Sequence, residues 1–335
     1  MVVDVYNYLF RNYITYDRLY HLSMRAFYTY PEINALNVFI DAHSLVSSMY
    51  NEGIQFTYED YNPIAASMIN LCGHLREYFH SRHHVWTKFF IVWGRSRPDY
   101  VRNIIPEYNA HTIMREDSNT VISELIYENM ALLKFVCSYL PDIVFLDGEN
   151  LESAYLINTV EKEPEKYKCL NGPYIIYSRD SFQYVSIAKM PYTTMYRPKK
   201  YRGEDRSYIV NKTNLLESYL VNELKAKWKD DLPIDYTNFI RTIRYAGIDS
   251  RGVKGVMKFK KASNLEVYPH FFTANEENII KGLSIAFDLD AGSDMYRRSL
   301  DYTMFNREPE IFQKEEIQDL NNKFFTVYPL ELNSL

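Results

Sequence analysis

Asp41, Glu149, Glu152 and Asp180 are the residues of this 335-residue sequence best suited to chemistry. Asp41 closes the apolar run Asn37-Val-Phe-Ile40. Asp180 follows Tyr174-Ile-Ile-Tyr177 within Ser178-Arg179-Asp180, and the two glutamates follow Ile143-Val-Phe-Leu146 and Asp147-Gly148. Hard divalent cations such as Mg²⁺ or Mn²⁺ take oxygen ligands, and protein sites supply a few carboxylates while water and phosphate fill the rest. Two such ions about 4 Å apart clamp the attacking and leaving oxygens of a phosphodiester. Gathering acids without a cation costs stability through like-charge repulsion. Glu149 and Glu152, three residues apart, share a helix face if a helix starts near Gly148. A plainer role competes for each acid, because carboxylates at strand ends and in first helical turns serve as caps and dipole partners.

Two basic segments are candidates for binding. Arg95, Arg97 and Arg102 lie in a stretch that ends at Tyr108, a composition suited to phosphate contacts and base stacking; a solvated surface loop reads the same way. From Arg241 to Lys261 there are seven basic residues and one acid, with Gly247, Gly252 and Gly255 among Lys254, Lys258, Lys260 and Lys261. Glycines let backbone approach a ligand closely, and backbone N–H groups at a helix start attract phosphate. A solvated helix face accounts for the lysines but not for the glycines.

The elements that must position these groups are strands alternating with helices. Asn37–Ile40, Phe89–Trp93, Ile143–Leu146 and Tyr174–Tyr177 are short runs rich in β-branched and aromatic residues, as buried strands are. Helical periodicity runs over Pro63–Phe79 and Thr120–Leu140, and again over Thr213–Trp228 and Tyr236–Ala246. This alternation predicts an α/β fold, a mostly parallel sheet with helices on both faces. In such sheets ligands bind outside the carboxyl ends of the strands, where the four acids fall. Strand-like runs thin out after about residue 190, at a basic connector from Met195 to Arg206. The expected organisation is an α/β core over 1–190, a helical region over 191–285 and an acidic extension over 286–335.

Composition sets further bounds. Hydrophobic residues at 47% and charged residues at 24% describe a folded chain, with 31 Tyr and 19 Phe against only 11 Gly. Cys72, Cys137 and Cys169 have no metal-site or disulfide-framework spacing, so buried free thiols are expected. No stretch reaches the roughly 18 apolar residues of a membrane span, and the N-terminus lacks a leader pattern. A cytoplasmic protein with no membrane partner is the expectation. The net charge of −5 sums segregated parts, basic clusters near Arg95–Arg102, Arg197–Arg206 and Arg241–Lys261 against an acidic C-terminal region. It therefore does not exclude a nucleic-acid partner.

The order of these features, from about Asn37 to Leu265, resembles the 5′-nuclease superfamily, the flap endonucleases and phage 5′–3′ exonucleases, whose core is similar to that of PIN domains. Asn37-Val-Phe-Ile-Asp-Ala-His-Ser-Leu45 resembles the family's first strand and its metal-binding Asp. Arg102-Asn-Ile-Ile-Pro-Glu-Tyr-Asn109 resembles the segment that bears on the scissile phosphate. Gly148-Glu-Asn-Leu-Glu-Ser-Ala-Tyr155 is similar to the Glu-Ala-Asp-Asp helix start, and Ser178-Arg-Asp-Ser-Phe-Gln183 to Asp-x-Asp-x-x-Gln. Gly247 to Ala262 resembles the helix-hairpin-helix that grips duplex backbone. Five positions depart: Trp93, Asn109, Leu151, Ser178 and Ile248 stand where the family has Asp, Lys, Asp, Asp and Asp.

The resemblance implies a PIN-like core and a helical region with a helix-hairpin-helix-like motif. It further implies that Asp41, Glu149, Glu152 and Asp180 hold Mg²⁺ or Mn²⁺, one ion rather than two, and that Arg102 and Tyr108 orient the phosphate. Two functional expectations follow: a divergent 5′-nuclease acting on branched or single-stranded DNA, or a catalytically inactive nucleic-acid-binding subunit of a replication or transcription assembly with protein partners. A third, a purely structural interaction protein, rests on the tyrosines and the acidic C-terminal region.

Overall fold

A computed structural model describes residues 34–51, 63–94, 99–107, 120–138, 140–148, 151–180, 182–190, 192–197, 200–201, 204–205, 208–212, 214–217, 221, 239–248, 253–254 and 273–291. The chain runs β1 (Ala35–Asp41), α1 (Ala42–Asn51), α2 (Pro63–His83), β2 (Trp86–Trp93), α3 (Asp99–Arg102), α4 (Thr120–Cys137), β3 (Ile143–Asp147), α5 (Ser153–Lys162), β4 (Tyr174–Tyr177), α6 (Gln183–Lys189) and β5 (Thr193–Arg197). It continues with β6 (Lys200–Tyr201), β7 (Glu204–Asp205), β8 (Tyr208–Val210), a 3₁₀ turn (Leu215–Glu217), α7 (Phe239–Ala246), β9 (Gly247–Ile248), β10 (Val253–Lys254) and α8 (Ala274–Ala286).

Six strands form one sheet in the order β3-β2-β1-β4-β5-β8. All pairings are parallel except β5 with β8, so the expected mostly parallel α/β architecture is present. Side chains alternate between two cores, as a strand's period of two requires. Val38, Ile40, Phe89 and Ile91 face the core shared with Leu71, Leu75 and Leu133. Phe39, Phe90, Val92 and Ile176 face the core shared with Tyr155, Tyr184, Phe239 and Leu283. Burial on both faces is why these strands read as unbroken apolar runs.

Two strands that the sequence reading leaves out, β5 and β8, carry the sheet on to Val210. The buried Asn37 fixes the entry of β1. Its Nδ2 donates to Leu170 O at 2.9 Å and Gly172 O at 3.3 Å, and its Oδ1 accepts from Leu170 N at 2.9 Å. Cys72 and Cys137 are buried free thiols as expected, while Cys169 is partly exposed. No helix among the described residues is long and apolar enough to cross a membrane.

Candidate functional site

The strand order reverses between β1 and β4. From β1 the chain moves outward to β2 and β3, then returns to the other side of β1 with β4 and β5. Such a switch point opens a crevice beyond the carboxyl ends of the two central strands. Asp41 is the last residue of β1, and Ser178, Arg179 and Asp180 follow β4 directly.

Asp41 is 1% exposed and does two jobs. Its Oδ1 accepts from Ser44 N at 3.1 Å, the bond of an N-cap on α1. Its Oδ2 accepts from Ser178 Oγ at 2.7 Å, Ser153 Oγ at 3.0 Å and Gln183 Nε2 at 3.4 Å. Gln183 Nε2 also donates to Ser153 Oγ at 3.0 Å. Asp180 is held by two turns of its own loop: its N donates to Ser178 Oγ at 3.0 Å, and its Oδ1 accepts from Phe182 N at 2.9 Å. Burial, and after it the charge of Asp180, raises the Asp41 carboxyl from 3.8 to about 6, against the opposing hydrogen bonds from Ser178, Ser44 and Ser153. Two carboxylates thus oppose each other across the crevice, a situation that a cation relieves.

The other predicted residues are placed differently. Glu152 is buried, at 1% exposure, but α5 begins at Ser153, leaving Glu152 as its extended N-cap residue with no side-chain capping bond. This helix start at Ser153 corrects the expectation of a start near Gly148. Glu149 itself lies outside the described residues. It is Ser153, in the first turn of α5, that reaches Asp41. Gly94 makes this possible, because a Cβ there would lie 2.3 Å from Ser153 N and 2.9 Å from Leu151 O. Among the described residues no three His, Cys, Asp or Glu side chains gather into a group that could hold a metal. The two carboxylates that the crevice brings together are Asp41 and Asp180; the Ser153 and Ser178 hydroxyls are already bonded to Asp41.

Arg102 is exposed at the end of α3 and pairs with Asp99 at 2.6 Å. Arg95, Arg97, Tyr108, Gly252, Gly255, Lys258, Lys260 and Lys261 lie outside the described residues. Of the helix-hairpin-helix-like segment, α7 ends at Ala246 and is followed by Gly247 at φ 71, a left-handed position that favours glycine. β9 then pairs antiparallel with β10, which contains Lys254. At the carboxyl end of β2, Trp93 meets the His43 ring edge-on at 5.5 Å. Ser44, Ser153 and Gln183 are the site residues that the sequence reading does not single out. Ser153 and Gln183 do stand inside the two quoted motifs, and that was the available signal.

No protein-family model matches the sequence, and no curated protein matches it. Solved structures similar to the chain include the T5 D15 protein co-crystallised with metal ions, at a TM-score of 0.49 and 11% identity, covering 78% of this chain and 98% of that one. Another is the T5 5′-exonuclease with bound zinc, at 0.46 and 12% identity over 79% and 92%. A third is the bacteriophage T5 flap endonuclease in a pseudo-enzyme–product complex with DNA and metal ions, at 0.43 and 12% identity over 79% and 91%.

Proposed function

We propose that this chain is a divergent, divalent-metal-dependent 5′-nuclease-like protein acting on branched or single-stranded DNA, with activity below that of a two-metal site. The observation that carries the reading is the Asp41–Asp180 pair at the switch point, two acids set against each other beyond the ends of β1 and β4. Asp41 and Asp180 would hold one Mg²⁺ or Mn²⁺, with Glu149 and Glu152 as the further acids of the motif. When bound, the ion supplies Lewis-acid polarisation of a phosphate oxygen. Asp41, near 6, is largely ionised at neutral pH, and Ser153 and Gln183 hold its Oδ2 in one orientation. Arg102 and Tyr108 would orient the scissile phosphate, and Gly252, Lys254 and Gly255 would grip the duplex backbone. Incubation of flap, nicked and single-stranded DNA with the protein in Mn²⁺ tests this: cleavage is expected and is lost in Asp41→Ala. No cleavage, or cleavage untouched by that substitution, removes the enzymatic reading.

A second reading, a catalytically inactive nucleic-acid-binding subunit, is favoured by one observation. Ser153 and Ser178 donate hydroxyls to Asp41, stabilising a carboxylate with protein donors where acids would share a cation. DNA binding then needs no divalent ion and weakens steeply with salt.

A further inference from the structure

We infer that Arg197 is a phosphate-binding residue of the strand-end crevice, contacting the backbone of the nucleic acid one strand away from Asp180 and two from Asp41. This rests on the reading of the crevice as a DNA site and names a residue that the motifs do not. β4 and β5 are parallel with Tyr177 opposite Tyr196, so Arg197 lies opposite Ser178, whose hydroxyl bonds Asp41. Adjacent strands are about 4.8 Å apart. The alternation along β5 puts Met195 in the core of α5 and α6 and Tyr196 in the opposite one. Arg197 thus leaves the sheet on the side of Met195, the side from which Ser153 and Gln183 reach Asp41.

There it is clamped. Its Nη1 donates to Tyr184 Oη at 2.9 Å, and its guanidinium sits 5.8 Å from the centre of the same ring. Tyr184 is fully buried on α6, next to Gln183, so one helix fixes both a donor to Asp41 and the arginine. A guanidinium held by a rigid ring has lost its freedom before a ligand arrives, and its planar fork suits phosphate oxygens. Charge points the same way. Asp41 and Asp180 repel a phosphodiester, and Arg197 supplies a fixed positive charge on the same face at the same edge.

The test is fluorescence anisotropy of a labelled single-stranded or flap oligonucleotide over a salt series, with chelator and with Mn²⁺. Arg197→Ala is expected to bind about tenfold more weakly, with the slope of log Kd against log salt reduced by about 1. Arg197→Lys keeps the charge and loses the fork, so it is expected to retain the slope with intermediate affinity, and it carries the comparison should the alanine variant fold poorly. Wild-type affinity and slope in Arg197→Ala, or wild-type affinity in Arg197→Lys, overturn the inference while leaving the DNA-site reading intact. Absence of DNA binding by the wild-type chain overturns both.

Discussion

Replacing Asp41 by Asn should remove a loss of stability that the wild-type chain undergoes as pH rises from about 4 to 6. The folded chain holds the Asp41 carboxyl near 6 rather than 3.8 because burial, then Asp180, disfavours its charge. A carboxyl raised in this way binds its proton more tightly in the folded state, so its contribution is complete below 3.8 and is lost as pH rises through 6. A change from 3.8 to about 6 corresponds to about 3 kcal/mol. Asn removes that loss. It forfeits the bond from Gln183 Nε2 and obliges Ser153 and Ser178 to reorient, a cost of about 1 kcal/mol. The variant should therefore be about 0.5 kcal/mol less stable than wild type at pH 4 and about 2 kcal/mol more stable at pH 7.5. Urea denaturation of both proteins at intervals from pH 4 to 8, with chelator present, measures this. Glu161, raised from 4.5 to about 8 by burial despite a bond from Thr193, titrates in both proteins and cancels in the difference. Parallel curves between pH 4 and 6 would refute the argument that Asp41 is buried beside a second charge.

Three further outcomes are expected. Gly94→Ala should cost about 1–3 kcal/mol in thermal or urea unfolding, because the added methyl meets the backbone at Ser153; an unchanged midpoint would mean that α5 shifts freely. Asn37→Ala removes the partner of three hydrogen bonds at a fully buried position and should cost about 2–4 kcal/mol, taking the Asn37 bonds from Leu170 N and Gly172 O, while Leu170 O keeps the bond from Gly172 N. Adding Mn²⁺ at pH 7.5 should raise the wild-type melting temperature and not that of Asp41→Asn, since binding to the folded state alone stabilises it; equal shifts in the two proteins would place the ion elsewhere.

β1, β2 and β4 were legible in the sequence because both of their faces are buried, which leaves continuous apolar runs. β5 was not, because Thr193, Thr194 and Arg197 dilute the signal at the start of a basic connector. Asp41 and Asp180 were legible as acids at strand ends, and the topology brings them to one crevice. The start of α5 was misplaced because Gly148-Glu149 reads like a helix opening, whereas Leu151 N instead closes a turn on Gly148 O and Leu151 is buried. Ser153 and Gln183 escaped notice because a hydroxyl or an amide becomes part of a site only through what it touches. The role of Asp41 as the cap of α1 was among the plainer alternatives, and it coexists with its place in the crevice.

The central claim is that the crevice between β1 and β4 retains one divalent-cation position. Anomalous diffraction from crystals soaked in Mn²⁺ tests it most directly. A single manganese peak bridging Asp41 and Asp180 is the predicted result. No peak at saturating Mn²⁺, or two peaks in the crevice, would contradict it.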